Sequence, residues 1–98
     1  MPKTVFKEAR GRKIELEIVT DITAATVRQI QYEKPDGTFG YWDAEEESST
    51  SISYTTKNKK DLDIVGIWRL QAYIVTPTWE DHGDIVQLCV KDILKKQK

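Results

Sequence analysis

The 98-residue chain has one cysteine, one histidine, three prolines and five scattered glycines, and each scarcity removes a class of protein. A lone cysteine closes no intramolecular disulfide, which excludes the disulfide-stapled secreted miniproteins. Cys89 and His82 lie seven residues apart, ~23 Å along an extended strand, too far for a nucleophile and its base. One ligand of each kind builds no tetrahedral zinc site. Gly11, Gly37, Gly40, Gly66 and Gly83 form no phosphate-cradling loop. No apolar run approaches the ~18–20 residues of a membrane-spanning helix. The first eight residues, Met1 to Glu8, lack an apolar core, so no secretory signal is expected and synthesis is expected in a cytoplasm. These absences predict a non-enzymatic protein with no cofactor, no metal site and no membrane partner.

Charge is nearly balanced, at −1 overall, so there is no global basic field for nucleic acid. The basic residues do not interleave with aromatics, which also argues against a nucleic-acid partner. They cluster at the two ends: Lys3, Lys7, Arg10, Arg12 and Lys13 in a basic segment 1–13, and Lys95, Lys96 and Lys98 in a short tail 92–98. The middle is acidic, with Asp43, Glu45, Glu46 and Glu47 close together in a polar loop. Such ends and middle are complementary, and salt-sensitive self-association is one expectation.

Apolar residues recur with period two, the mark of half-buried strands. Ile14, Leu16 and Ile18 share one face while Lys13, Glu15 and Glu17 share the other. Ile30 and Tyr32 continue the habit, with Val27 out of phase at a bulge or strand start. Pro35-Asp36-Gly37 sets a tight reversal. Phe39 to Asp43 and Ser51 to Thr56 read as strands, and Ile67 to Val75 as the longest, with Trp68, Leu70, Ala72 and Ile74 on one side. A loop from Thr76 to Gly83 precedes a last strand, Asp84 to Lys91, with Val86, Leu88 and Val90 facing in and Cys89 facing out. Residues 92–98 have room for a frayed helical turn. Counting Thr4–Lys7, about seven strands separated by turns predict an all-β antiparallel sandwich in one domain, 1–98. Its core anchors are expected to be Trp68, Leu70, Ile14, Leu16, Ile18 and Leu88, with Trp68 central.

The remaining aromatics suggest contact surfaces. Phe39 and Tyr41 must face away from Trp42, so an aromatic is expected near the surface. Trp79 sits beside Pro77, where it either anchors an interface or plugs an end of the sandwich. Tyr41, Trp42 and Trp79, with the acidic Glu45, Glu46 and Glu47, are the candidate interface residues.

Several segments together resemble a known family. Asp21-Ile22-Thr23-Ala24-Ala25-Thr26-Val27, Tyr32-Glu33-Lys34-Pro35-Asp36-Gly37-Thr38, Ser51-Ile52-Ser53-Tyr54, Asp61-Leu62-Asp63 and Gly66-Ile67-Trp68-Arg69-Leu70-Gln71-Ala72-Tyr73 are similar to small immunoglobulin-like structural domains of tailed bacteriophages and prophages. The amino-terminal domains of upper-baseplate proteins share this progression, which covers roughly residues 14–90. The resemblance implies an immunoglobulin-like β-sandwich and a virion component of the tail, baseplate, connector or capsid decoration. Its partners would be other virion proteins or further copies of itself. It also places Trp68 where immunoglobulin domains carry a corner tyrosine. The alternative from the aromatics is a carbohydrate- or ligand-binding sandwich using Trp42, Tyr41 or Trp79 as stacking platforms.

Overall fold

The computed structural model describes residues 3–18 and 20–94. Eight strands follow in order: β1 (Lys3–Phe6), β2 (Lys13–Glu17), β3 (Val27–Glu33), β4 (Phe39–Asp43), β5 (Glu45–Ser48), β6 (Ser51–Thr55), β7 (Gly66–Val75) and β8 (Glu80–Lys91), with one turn of 3-10 helix at Lys59–Leu62. They form two sheets, ordered β1-β8-β7-β3-β4 and β2-β6-β5. This is an immunoglobulin-like β-sandwich, as expected. One pairing departs from the expected antiparallel pattern, because β1 runs parallel to β8, with Thr4 beside Cys89 and Val5 beside Val90.

Other departures have local causes. Glu45 to Ser48 was expected as loop, yet it forms β5 against β6, with a register shift between Glu46 and Ser48. Three consecutive acids give no alternation, and the strand is held by its backbone ladder at a sheet edge. His82 was expected in a loop, but β8 begins at Glu80 and His82 pairs with Tyr73. The ladder slips between Gln71 and Tyr73, a bulge that absorbs the residues around Gly83. Val27 opens β3, and its side chain is half-buried. Asp92 to Leu94 is not helical, while Val19 and Lys95 to Lys98 lie outside the described residues.

The six expected core anchors, Ile14, Leu16, Ile18, Trp68, Leu70 and Leu88, are all buried. Ile22, Ile30, Ile52 and Leu62 join them, and so does Trp42. Trp42 stacks on Tyr54 of the opposite sheet at 5.0 Å and on Trp68 at 6.1 Å, while Tyr32 lies 5.4 Å from Trp68. This aromatic group spans the space between the sheets.

Trp68 also organises the corner that leads into β7. Its Nε1–H donates to the carbonyl of Ile64 at 2.8 Å. In immunoglobulin domains a corner tyrosine hydroxyl bonds back to nearby upstream backbone; here an indole N–H makes that bond. Lys34 lies over the Trp68 ring at 5.4 Å, and its ammonium is 3.0 Å from Asp63 Oδ1 and 3.2 Å from Oδ2. The hairpin that carries Lys34 is closed by bonds from Gly37 N to Lys34 O (2.9 Å) and from Lys34 N to Thr38 O (2.8 Å). Gly37 at φ 90° takes the left-handed position that such a three-residue loop requires. Pro35 then covers Gly66, which has φ 138° and no room for a Cβ, since one would meet the proline ring at 2.6 Å.

Beside this corner, Asp61 collects the Tyr54 hydroxyl (2.9 Å) and the amides of Lys57 (2.8 Å) and Asn58 (3.3 Å). Burial first, and then the Asp61 carboxylate, push the Tyr54 hydroxyl up to about 12.

Two predictions follow from the core. Trp68→Ala loses a large buried ring and leaves a cavity, so urea denaturation should show a loss of about 3–5 kcal/mol; a variant within ~1 kcal/mol of wild type would refute the central role of Trp68. The raised Tyr54 means that folding favours its neutral form. That contribution is whole below the unfolded value near 10 and is lost as pH rises towards about 12. The melting temperature should therefore fall across this window, and less steeply in Tyr54→Phe.

Candidate functional site

The pleat of the five-stranded sheet sends alternate residues of β4, β3, β7 and β8 to its outer face. Register aligns them in rows: Phe39, Glu33, Arg69 and Gln87; then Tyr41, Gln31, Gln71 and Ile85; then Asp43, Gln29, Tyr73 and His82. Three apolar side chains of these rows stay exposed although large: Phe39 at 75%, Tyr41 at 55% and Ile85 at 52%. Between Phe39 and Ile85 runs a groove of about 330 Å³, floored by Gln31, Gln71, Glu33 and Arg69.

The floor is polar but carries no net charge. Arg69 Nη1 is 2.9 Å from Glu33 Oε1, so the two ions cancel. Gln71 donates from Nε2 to the carbonyl of Gly83 at 2.9 Å, which fixes its amide and leaves Oε1 as an acceptor. Among the described residues, Gln31 has no side-chain hydrogen bond, so its donors and acceptor are all available. The groove thus combines the Phe39 ring at one wall, Ile85 opposite, and fixed and free amides between.

A second hollow of about 330 Å³ opens at one end, between Glu17 of β2 and residues Trp79 to Asp84. Two of its acids have side-chain partners: Glu17 accepts from the Thr50 hydroxyl at 3.2 Å, and Glu80 accepts from the Tyr73 hydroxyl at 2.7 Å, which raises the Tyr73 hydroxyl above its ordinary value. Trp79 closes the turn between β7 and β8. Its amide donates to Thr76 Oγ1 (3.0 Å), its carbonyl accepts from Thr76 N (2.8 Å), and its ring packs on the core. Trp79 is half-buried, packing on the core and also lining this hollow. Among the described residues, no group of three or more His, Cys, Asp or Glu side chains is placed to hold a metal ion.

The candidate residues therefore separate. Tyr41 stands on the outer face, whereas Trp42 is only 6% exposed and belongs to the core, which removes it as an interface or stacking residue. Strand parity is the cause, because β4 turns Phe39 and Tyr41 outwards and Trp42 inwards. Glu46 and Glu47 are engaged within the chain, by Arg28 at 3.3 Å and Lys13 at 2.9 Å. Glu47 also accepts from Ser53 at 2.9 Å, and the Lys13 and Ser53 bonds hold its carboxyl below the ordinary value. The acidic stretch is thus not a free complement to the basic ends; Glu45 remains exposed beside it. Cys89 and His82 share β8, His82 at its start against Tyr73 (4.9 Å between rings) and Cys89 near its end beside Ile67. Gln31, Gln71, Ile85 and Phe39 were not among the candidates. Their alternation was legible in the sequence, but which face of the sheet is open depends on where the second sheet sits.

No protein-family model matches the chain, and no curated protein matches it in sequence. A solved structure does. It is the crystal structure of CopC from Methylosinus trichosporium OB3b, with a TM-score of 0.64 over 98% of this chain and 89% of that one, at 9% identity. The likeness is one of fold. It runs to a protein of a bacterium, and nothing in the comparisons supports a bacteriophage component. The expected virion structural role is accordingly corrected and set aside.

The division between inward and outward aromatics is open to test by substitution. Trp42→Ala should lose about 3–5 kcal/mol of stability, as a large buried ring does. Phe39→Ala, exposed on the outer face, should stay within ~0.5 kcal/mol of wild type in the same denaturant titration. Equal losses would contradict the assignment of faces.

Proposed function

We propose that this chain is a non-catalytic binding domain that takes a neutral oligosaccharide in the groove across the outer face of its five-stranded sheet. The observation that carries this reading is the exposed ring of Phe39 at one wall of the groove, with Tyr41 exposed beside Gln31 on the same face, together with the unengaged amide of Gln31 and the fixed amide of Gln71. A sugar ring presents an apolar C–H face and a rim of hydroxyls. Aromatic faces suit the first, and planar amides that both donate and accept suit the second. The Arg69–Glu33 pair supports a neutral ligand over an ionic one, since each ion already has its counter-charge. Concave sites with an apolar lining and a few placed polar groups are the usual form of a small-ligand site.

A screen of immobilised glycans followed by calorimetry tests the reading. At least one neutral glycan should bind, and Tyr41→Ala should weaken it about two- to tenfold, as the loss of one aromatic contact of ~0.5–1.5 kcal/mol requires. Gln31→Ala should weaken it further, with no change in melting temperature. Absence of binding across neutral glycans, or unchanged affinity in Phe39→Ala/Tyr41→Ala, would reject it.

A further inference from the structure

Four strands border the two sheets: β1 and β4 on the larger, β2 and β5 on the smaller. Open edges invite another strand, and proteins blunt them with charge, proline, bulges or short length. β5 carries Glu45, Glu46 and Glu47 and a register shift. β2 carries Lys13, Glu15 and Glu17, and β1 is a four-residue strand that includes Lys3. β4, with the sequence Phe39-Gly40-Tyr41-Trp42-Asp43, has no proline, no lysine and no register shift, and one acid at its end.

The ladder shows which backbone groups of β4 are unused. Lys34 N donates to Thr38 O at 2.8 Å, and Ala44 N donates to Arg28 O at 2.9 Å. Alternation in an antiparallel pair then gives Gly40 and Trp42 to β3 as well. The N–H and C=O groups of Phe39, Tyr41 and Asp43 point to the open side.

We propose that β4 pairs antiparallel with β4 of a second copy of this chain, about a two-fold axis at Tyr41, so that two five-stranded sheets become one continuous sheet. In this register each Tyr41 lies opposite the other, and each Phe39 lies opposite the second copy's Asp43. The outward donors and acceptors of the three residues meet in matched pairs, and no acid faces an acid. A patch that is its own complement gives the closed two-fold dimer rather than an open chain of subunits. The exposed rings of Phe39 and Tyr41 from both copies then form one aromatic band across the seam. This inference goes beyond the glycan reading and rests on the backbone of β4, so a monomer that binds glycan or a dimer that does not would separate the two.

The test is the mass of the protein in solution from micromolar to millimolar concentration, by sedimentation equilibrium, together with amide hydrogen exchange. Mass should rise from the 11.3 kDa of one chain towards twice that value. The amides of Phe39, Tyr41 and Asp43 should exchange more slowly as it does. Asp43→Pro removes an outward donor and spares the pairing with β3; it should weaken association at least tenfold while the circular dichroism spectrum is kept. If that variant does not fold, Tyr41→Lys sets two ammonium groups face to face on the axis and should have the same effect on association. A monomer at every concentration overturns the proposal. So does a dimer whose three amides exchange as freely as in the monomer, because its contact would lie on a sheet face. A folded Asp43→Pro that associates like wild type overturns it too.

Discussion

The bond from the Trp68 indole to the carbonyl of Ile64 is the constraint around which this molecule is arranged. It holds the corner before β7 against the ring that fills the centre of the core. A buried indole N–H without a partner would be costly, and the corner supplies one within four residues. From that ring the aromatic group reaches Trp42 and Tyr32 in its own sheet, and through Trp42 it reaches Tyr54 in the other. The two sheets are thus joined by stacked rings, in a chain whose single cysteine can form no inter-sheet disulfide of the kind antibody domains carry.

Two sequence segments far apart in the chain turn out to be neighbours at this corner. Lys34-Pro35-Asp36-Gly37 and Asp63 to Trp68 meet there: the ammonium of Lys34 lies on Asp63 and over Trp68, and the ring of Pro35 lies on Gly66. Each segment reads as an ordinary turn or strand entry when taken alone. Together they form a latch in which the proline needs a glycine opposite it and the lysine needs both a carboxylate and a ring. Their residue types are explained by each other.

Much of the fold was legible in the sequence because its signals are local. Alternation at Ile14, Leu16 and Ile18, or at Trp68, Leu70, Ala72 and Ile74, marks the buried face of a strand whatever its neighbours do. The parallel β1–β8 pair, the acidic β5 and the early start of β8 were not legible, since each depends on a backbone partner brought close by the rest of the chain. The candidate site divides in the same way. The opposition of Tyr41 and Trp42 follows from strand parity, but which of them meets water is decided by the position of the smaller sheet. Reading Glu46 and Glu47 as free charge missed that Arg28 and Lys13, distant in sequence, lie against them within the same sandwich.

The parallel alignment of β1 and β8 has a mechanical consequence. Tension carried along the chain enters at Lys3 and leaves at Lys91, at opposite ends of one short ladder in which Lys3 lies beside Leu88 and Phe6 beside Lys91. Such a load slides the two strands past each other instead of peeling them apart. The rungs bear it simultaneously, and separation requires them to fail together. A pull along the chain is therefore met by the whole β1–β8 ladder at once before either strand can leave the larger sheet.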